Sequence, residues 1–283
     1  MCSRYILVIT FEQIRKRFEL PLEAIAITPN YNISAGQFAY VITDEKSNEI
    51  QLFKFGLTPF WAKREMLIIN ARSEGDYNKE DYPDFKGAKG IILKPAFRKP
   101  IRSQRCLVLA SAFIVGPVYG GLSKPFLVYL RNHKSPFAMA GIWDTWLNPA
   151  TLEYINTFSI ITTTANSLIK KIGNNRMPVI LADNEEKKWL KTDTELSHIT
   201  RMLNRYDSKL MNAYPIDPRI KDLAANDKNL IQPVGEKLLN EEENKVTQRV
   251  SYNGYYHSKK RPAYDDSRPS WGEISNINRS KEE

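Results

Sequence analysis

Phe126-Leu127-Val128-Tyr129-Leu130, then Phe137-Ala138-Met139-Ala140-Gly141-Ile142-Trp143, then Thr157-Phe158-Ser159-Ile160-Ile161-Thr162 decide the fold class. Each run is short and either apolar or rich in β-branched and aromatic residues. Turn-forming residues separate one run from the next, the composition expected of strands joined by turns. Upstream, Tyr5-Ile6-Leu7-Val8-Ile9 reads as a buried first strand. It is too short for a signal peptide and has no small-residue cleavage site after it. Two stretches carry helical patterns instead: Glu12 to Phe18, and Asn184 to Leu190 with Asp183 as the expected N-cap. Strands dominate and the helices are scattered among them, which predicts an α+β domain.

The 283 residues and a 42% hydrophobic content are enough for one sizeable core. The expected division is a folded domain over 1–235 and a polar, partly disordered tail over 236–283. That tail holds the acidic run Glu241-Glu242-Glu243, the basic run Lys259-Lys260-Arg261 and few aliphatic residues. Its nine Lys/Arg balance its nine Asp/Glu, so the net charge of +9 resides in the first 235 residues. A basic domain of this kind invites an anionic partner such as nucleic acid. No apolar run approaches the roughly 18 residues of a membrane span. Two cysteines, Cys2 and Cys106, and no CxxC, HExxH or Cys/His cluster leave no metal or cofactor to expect. They suit a reducing cytoplasm, and a monomer is expected.

Cys2 follows Met1 directly. Removal of Met1 would place an α-amine and a thiol on one residue, with ordinary pKa values near 8 and 8.5. Both nucleophiles are then partly available at neutral pH. Such an aminothiol condenses with an aldehyde: the amine forms an imine and the sulfur closes a five-membered thiazolidine.

Further segments follow in order. They are Phe55-Gly56-Leu57-Thr58-Pro59-Phe60-Trp61-Ala62, Asn70-Ala71-Arg72-Ser73-Glu74, Lys94-Pro95-Ala96-Phe97-Arg98, Arg105-Cys106-Leu107-Val108, Ile161 to Asn166, and Arg176-Met177-Pro178. This ordered set, from Met1 to about Pro233, resembles the SRAP family, whose members crosslink to abasic sites in single-stranded DNA. The resemblance implies a compact domain with a strand-rich, barrel-like core flanked by helices, and a DNA groove across one face. It also implies Cys2 as nucleophile and Asn70 beside it. Arg72 would hold a phosphate, and Arg4 and Thr162 would join the DNA contacts. Pro59 and Trp61 match the position of an apolar wedge. Physically, an Arg fork suits a phosphate and an amide can orient a hemiaminal hydroxyl. Asn70, Arg72 and Glu74 share a face if the segment is extended, and Glu74 is expected to hold Arg72. Arg98, Arg102 and Arg105, with Lys94 and Lys99, form a candidate phosphate track, with Pro100 limiting any helix there.

Two positions depart from the family pattern. Its active-site glutamate falls on Val115 and its histidine on Asn174. Neither replacement can carry a proton, and such help typically contributes ~10²–10⁴-fold. A charged, Tyr-containing stretch between Gly75 and Leu93 is an insertion with no role legible in the sequence. The leading expectation is a cytoplasmic trap for abasic single-stranded DNA with altered catalysis. A non-catalytic strand binder and an N-terminal-nucleophile amidotransferase are the alternatives. Ser3, where amidotransferases carry Gly, and the absence of a synthetase domain weigh against the last.

Overall fold

The computed structural model describes residues 3–21, 26–82, 84–131 and 135–240. Among the described residues, twelve strands fall into two sheets. Six of them, β3 (Phe38–Thr43), β4 (Gln51–Phe55), β6 (Arg105–Ala110), β9 (Phe137–Leu147), β10 (Tyr154–Thr164) and β11 (Arg176–Pro178), run in the order β11-β10-β4-β3-β6-β9. Because β9 also pairs with β10, the ladder β10-β4-β3-β6-β9 closes on itself as a barrel. Closure removes the exposed strand edges that an open sheet would leave. The short β5 (Asn70–Arg72) lies parallel to β10.

Strand β10 is the seam of this barrel. Its eleven residues pair with β9 over 154–160 and with β11 over 162–164. They pair with β4 at 157–158 and with β5 at 160–162. The hairpin joining β9 to β10 is set by Asn148, whose Oδ1 accepts from the Ala150 amide at 3.0 Å, an Asx turn.

The second sheet is antiparallel, in the order β12 (Met211–Pro215), β8 (Phe126–Leu130), β7 (Ala112–Val115), β1 (Arg4–Leu7), β2 (Asn30–Ser34). Period-two alternation explains why all of β1 is buried although it is not barrel wall. Tyr5 and Leu7 face the main core, where the Tyr5 ring meets Phe55 edge-on at 5.6 Å and Phe55 stacks on Phe158 at 5.2 Å. Ile6 faces the other way, into a smaller cluster with Ile114, Leu127, Ile216 and Ile220. The segment after β12 therefore covers the outer face of this sheet.

Helix α1 (Phe11–Phe18) occupies the first predicted helical stretch, closed by a capping box between Thr10 and Gln13. Four more are described: α2 (Pro100–Ser103), α3 (Ser167–Ile172), α4 (Asp183–Leu190) and α5 (Leu196–Met202). In α4 the N-cap is Ala182 and Asp183 is the first helical residue, where Asp183 itself was expected to cap. Glu185 makes the shift work, because its carboxylate accepts the Ala182 amide at 3.3 Å. The strand-rich, barrel-containing α+β core predicted from the sequence is the one observed. Residues 241–283, to which most of the expected tail belongs, lie outside the described residues. Leu238 and Leu239 still belong to the folded part, donating to the Ala213 carbonyl and to Asn212 Oδ1.

Candidate active site

The start of the chain is seated inside a sheet. Strand β1 lies between β2 and β7, with Arg4 opposite Ile114, Tyr5 opposite Phe113 and Ile6 opposite Ala112. Cys2 itself lies outside the described residues. The two departures from the family pattern meet at this end of β7. Val115 is its last residue and is buried in the core. Asn174 follows α3, which ends at Gly173 with φ 85°. The Asn174 Nδ2 donates to the Gly116 carbonyl at 2.6 Å, and its Oδ1 accepts the Arg176 amide at 3.0 Å. The amide thus stitches the end of β7 to the start of β11, using both of its functions. Neither side chain can move a proton.

Strand β5 has the predicted alternation. Asn70 and Arg72 lie on one face and are part-exposed, while Ala71 is fully buried on the other. Asn70 stands opposite Ile160 and Arg72 opposite Thr162. The expected partner of Arg72 needs correction. Glu74 does not hold it; the fork meets Asp81 at 3.1 Å and the Lys79 carbonyl at 3.1 Å, both from the insertion. The chain turns into a 3₁₀ segment at Gly75, which carries Glu74 off the strand.

Glu74 instead forms a buried lock with Arg176. The two are 1% and 3% exposed and meet at 2.9 Å. Glu74 also accepts from the Thr163 hydroxyl and the Thr164 amide, and Arg176 donates to the Thr162 carbonyl and hydroxyl. Burial pushes the Glu74 pKa upward, but the Arg176 charge and the hydrogen bonds outweigh it, and the carboxyl is held below its ordinary range. Thr162, expected among the DNA contacts, is buried with its hydroxyl engaged by Arg176.

The other expected contacts divide. Trp61 and Phe60 are 48% and 56% exposed at the tip of a loop. That loop is closed by the Leu57–Ile68 bridge and fixed by Asp144, which accepts the Phe60 amide, and by Trp146, which donates to the Ala62 carbonyl. Lys99 lies over the Phe60 ring at 4.9 Å, so the apolar tip and the basic segment adjoin. Arg98 and Arg102 are exposed. Arg105 is not part of this track: it opens β6 and is wholly buried. Its guanidinium caps two helix ends, donating to the Trp189 and Lys191 carbonyls at the C-terminal end of α4 and to the Ile101 and Arg102 carbonyls of α2. Arg4 is also buried, donating to the Lys221 carbonyl at 3.3 Å. Burial pushes the Cys106 thiol well up, so it is no competing nucleophile.

The insertion forms a closed loop. Its ends touch at Gly75 and Gly90, where a Cβ on Gly75 would lie 2.6 Å from the Gly90 carbonyl carbon. Inside it, Asn78 exchanges hydrogen bonds with Tyr82, and Asp84 reaches Lys170 on α3 at 3.0 Å. Sequence reasoning missed this loop's hold on Arg72, since Asp81 belongs to no motif. Among the described residues no group of three metal-ligating side chains converges, and no helix is long and apolar enough to cross a membrane.

A closed barrel flanked by a sheet that embeds the first strand, with an Asn-Ala-Arg strand laid along the barrel seam, defines a class of α+β proteins that build the start of their own chain into the fold. The chain belongs to the SOS response associated peptidase (SRAP) family, whose pattern matches residues 1–223. It is 32% identical over 240 residues to the abasic site processing protein YoqW of Bacillus subtilis (strain 168), spanning 82% of this chain and 99% of that one. It is 31% identical over 177 residues to the abasic site processing protein HMCES of Gallus gallus, 53% of this chain and 48% of that one. The crystal structure of a Bacteroides thetaiotaomicron protein superposes with a TM-score of 0.69 at 29% identity, covering 83% of this chain and all of the other.

Proposed function

We propose that this protein binds single-stranded DNA and traps abasic sites covalently through Cys2 once Met1 has been removed. The freed amine attacks the ring-opened sugar aldehyde and a hemiaminal forms. Loss of water gives the imine. The sulfur then adds to the imine carbon, its proton passing to nitrogen, and the thiazolidine ring closes. A missing base leaves nothing to read, so recognition rests on phosphates and strand shape. The single observation that carries the reading is the seat of β1 between β2 and β7, beside the positions where the family keeps its acid–base pair. Asn70 orients the hemiaminal, Arg72, Arg98 and Arg102 hold phosphates, and Trp61 stacks on an unstacked base.

The test is a denaturing gel with abasic single-stranded DNA and protein of verified N-terminus. The processed protein is expected to give a heat-stable adduct and Cys2→Ala none. An equal adduct yield from Cys2→Ala overturns the reading. A second reading, a strand binder without chemistry, is favoured by the burial of Val115 and the fully engaged amide of Asn174. Retention of Met1 in the intact mass supports it, because the amine is then blocked.

Arg72 is already engaged by the insertion, so a phosphate must compete with Asp81. Asp81→Asn is expected to raise affinity a few-fold, in keeping with the ~0.2–1 kcal/mol of a part-exposed ion pair. Arg72→Ala is expected to weaken undamaged and abasic strands alike. Fluorescence anisotropy at fixed salt measures both.

A further inference from the structure

Next to the Glu74–Arg176 lock, the insertion and the segment after α5 enclose a cavity of about 240 Å³. Its lining includes Lys86, Lys89 and Arg205, with Thr163 and Thr164 from the end of β10. The charges on this wall are compensated only at a distance, by Asp84 acting on Lys86 and Arg205 and by Glu74 acting on Lys89. Among the described residues Lys86 and Lys89 form no ion pair, and Arg205 donates to the Thr164 hydroxyl, at 2.9 Å, and to no carboxylate. Both carboxylates make their direct ion pairs with other cations, Glu74 with Arg176 and Asp84 with Lys170. Lys89 feels the crowding. Burial lowers its pKa, Glu74 opposes this, and Arg176 and Arg205 lower it further.

A second cavity of about 720 Å³ adjoins the first and shares Gly87, Lys89 and Asn204 with it. Here the lining turns apolar, with Tyr77, Ile92 and Leu93. Tyr77 is 55% exposed. A cationic pocket opening onto an exposed aromatic matches the two ends of a nucleotide. The location fits as well. Thr164 is two residues beyond Thr162, the partner of Arg72, roughly 6.6 Å along the strand. That step is comparable to one nucleotide of an extended chain.

We propose that Lys86, Lys89 and Arg205 bind a backbone phosphate of single-stranded DNA, with the attached base resting on Tyr77. This rests on the strand-binding reading above and gives the insertion a function: it occupies Arg72 and builds a further phosphate site beside it. The charge is what a phosphodiester needs, and base stacking on an aromatic is tolerant of sequence.

The experiment compares the wild type with Lys89→Gln/Arg205→Gln on undamaged single-stranded DNA across a salt series. The double change is expected to weaken binding roughly tenfold, the loss of charge-assisted hydrogen bonds to one phosphate. The slope of log affinity against log salt should fall by about 0.7. Tyr77→Ala is expected to weaken DNA binding without changing that slope, and Lys89→Arg to preserve it. Lys188→Gln/Lys191→Gln at α4 removes equal charge and is expected to change little. Unaltered affinity and slope in the Lys89/Arg205 variant overturn the proposal. Inorganic phosphate separates the sources. A phosphate-dependent rise in Tm that the double variant loses, with DNA affinity unaffected, would assign the cavity to free phosphate and overturn the strand assignment. If the wild type binds no DNA at all, the strand-binding reading fails with it. The loss of Cys2-dependent adduct alone would leave this site standing.

Discussion

Glu74→Ala is expected to lower the stability of the domain by up to about 3–5 kcal/mol, because it removes the buried carboxylate that holds the Arg176 guanidinium and leaves it only the part-exposed Asp81 at 3.5 Å. For a domain of this size that corresponds to a Tm roughly 6–20 °C lower. The lock ties β10 and β11 to the turn after β5, so the loss is expected to loosen the barrel seam as well. The pH dependence has a definite sign. The folded Glu74 pKa lies below its ordinary value, so the contribution is complete above the usual carboxylate range of about 4.3. It is lost as pH falls through the depressed folded value. The stability gap between wild type and Glu74→Ala is therefore expected to narrow in acid. Urea unfolding at neutral and acidic pH measures it, and a gap that widened on acidification would contradict the lock.

Val115→Glu combined with Asn174→His is expected to speed abasic-site crosslinking by up to roughly 10²–10⁴-fold, the usual contribution of general acid–base catalysis. Asn174 bonds the backbone carbonyl of Gly116, one residue beyond Val115, which brings both positions to the same end of β7. The single changes are expected to achieve little. A carboxyl group introduced alone in place of Val115 would sit in the core and be driven toward its neutral form. An imidazole introduced alone in place of Asn174 would disturb the Gly116 and Arg176 bonds without gaining a proton partner. Quenched time points on a denaturing gel give the rate. A double variant that folds normally and reacts no faster would indicate a rebuilt site, and would favour the strand binder without chemistry.

Strands were the most legible part of the fold. The runs at 126–130, 137–143 and 157–162 are apolar because both faces of most of these strands are covered, and such runs advertise themselves. Barrel closure was legible only through the family resemblance and not in the strand pattern, since it depends on β10 pairing with four other strands, a property of register. In the site, the alternation of Asn70 and Arg72 could be read directly, whereas the exposed Trp61 was implied only by the family resemblance. Arg105 could not. Spacing makes it look like a surface cation, and only the carbonyls that converge on it explain its burial. Glu74 misled for a related reason: its partner Arg176 is 102 residues away in sequence, and no local pattern announces it.

The seating of β1 also has a consequence in time. Its flanking strand β7 begins at Ala112, about a hundred residues after β1 ends at Leu7. At synthesis rates of about 5–20 residues per second, roughly 5–20 s pass before that partner has been made. A two-stranded β1–β2 pair alone is marginal in water. Burial of β1 between its two neighbours therefore cannot precede synthesis of β7, and that delay is set by topology rather than by the stability of the finished domain.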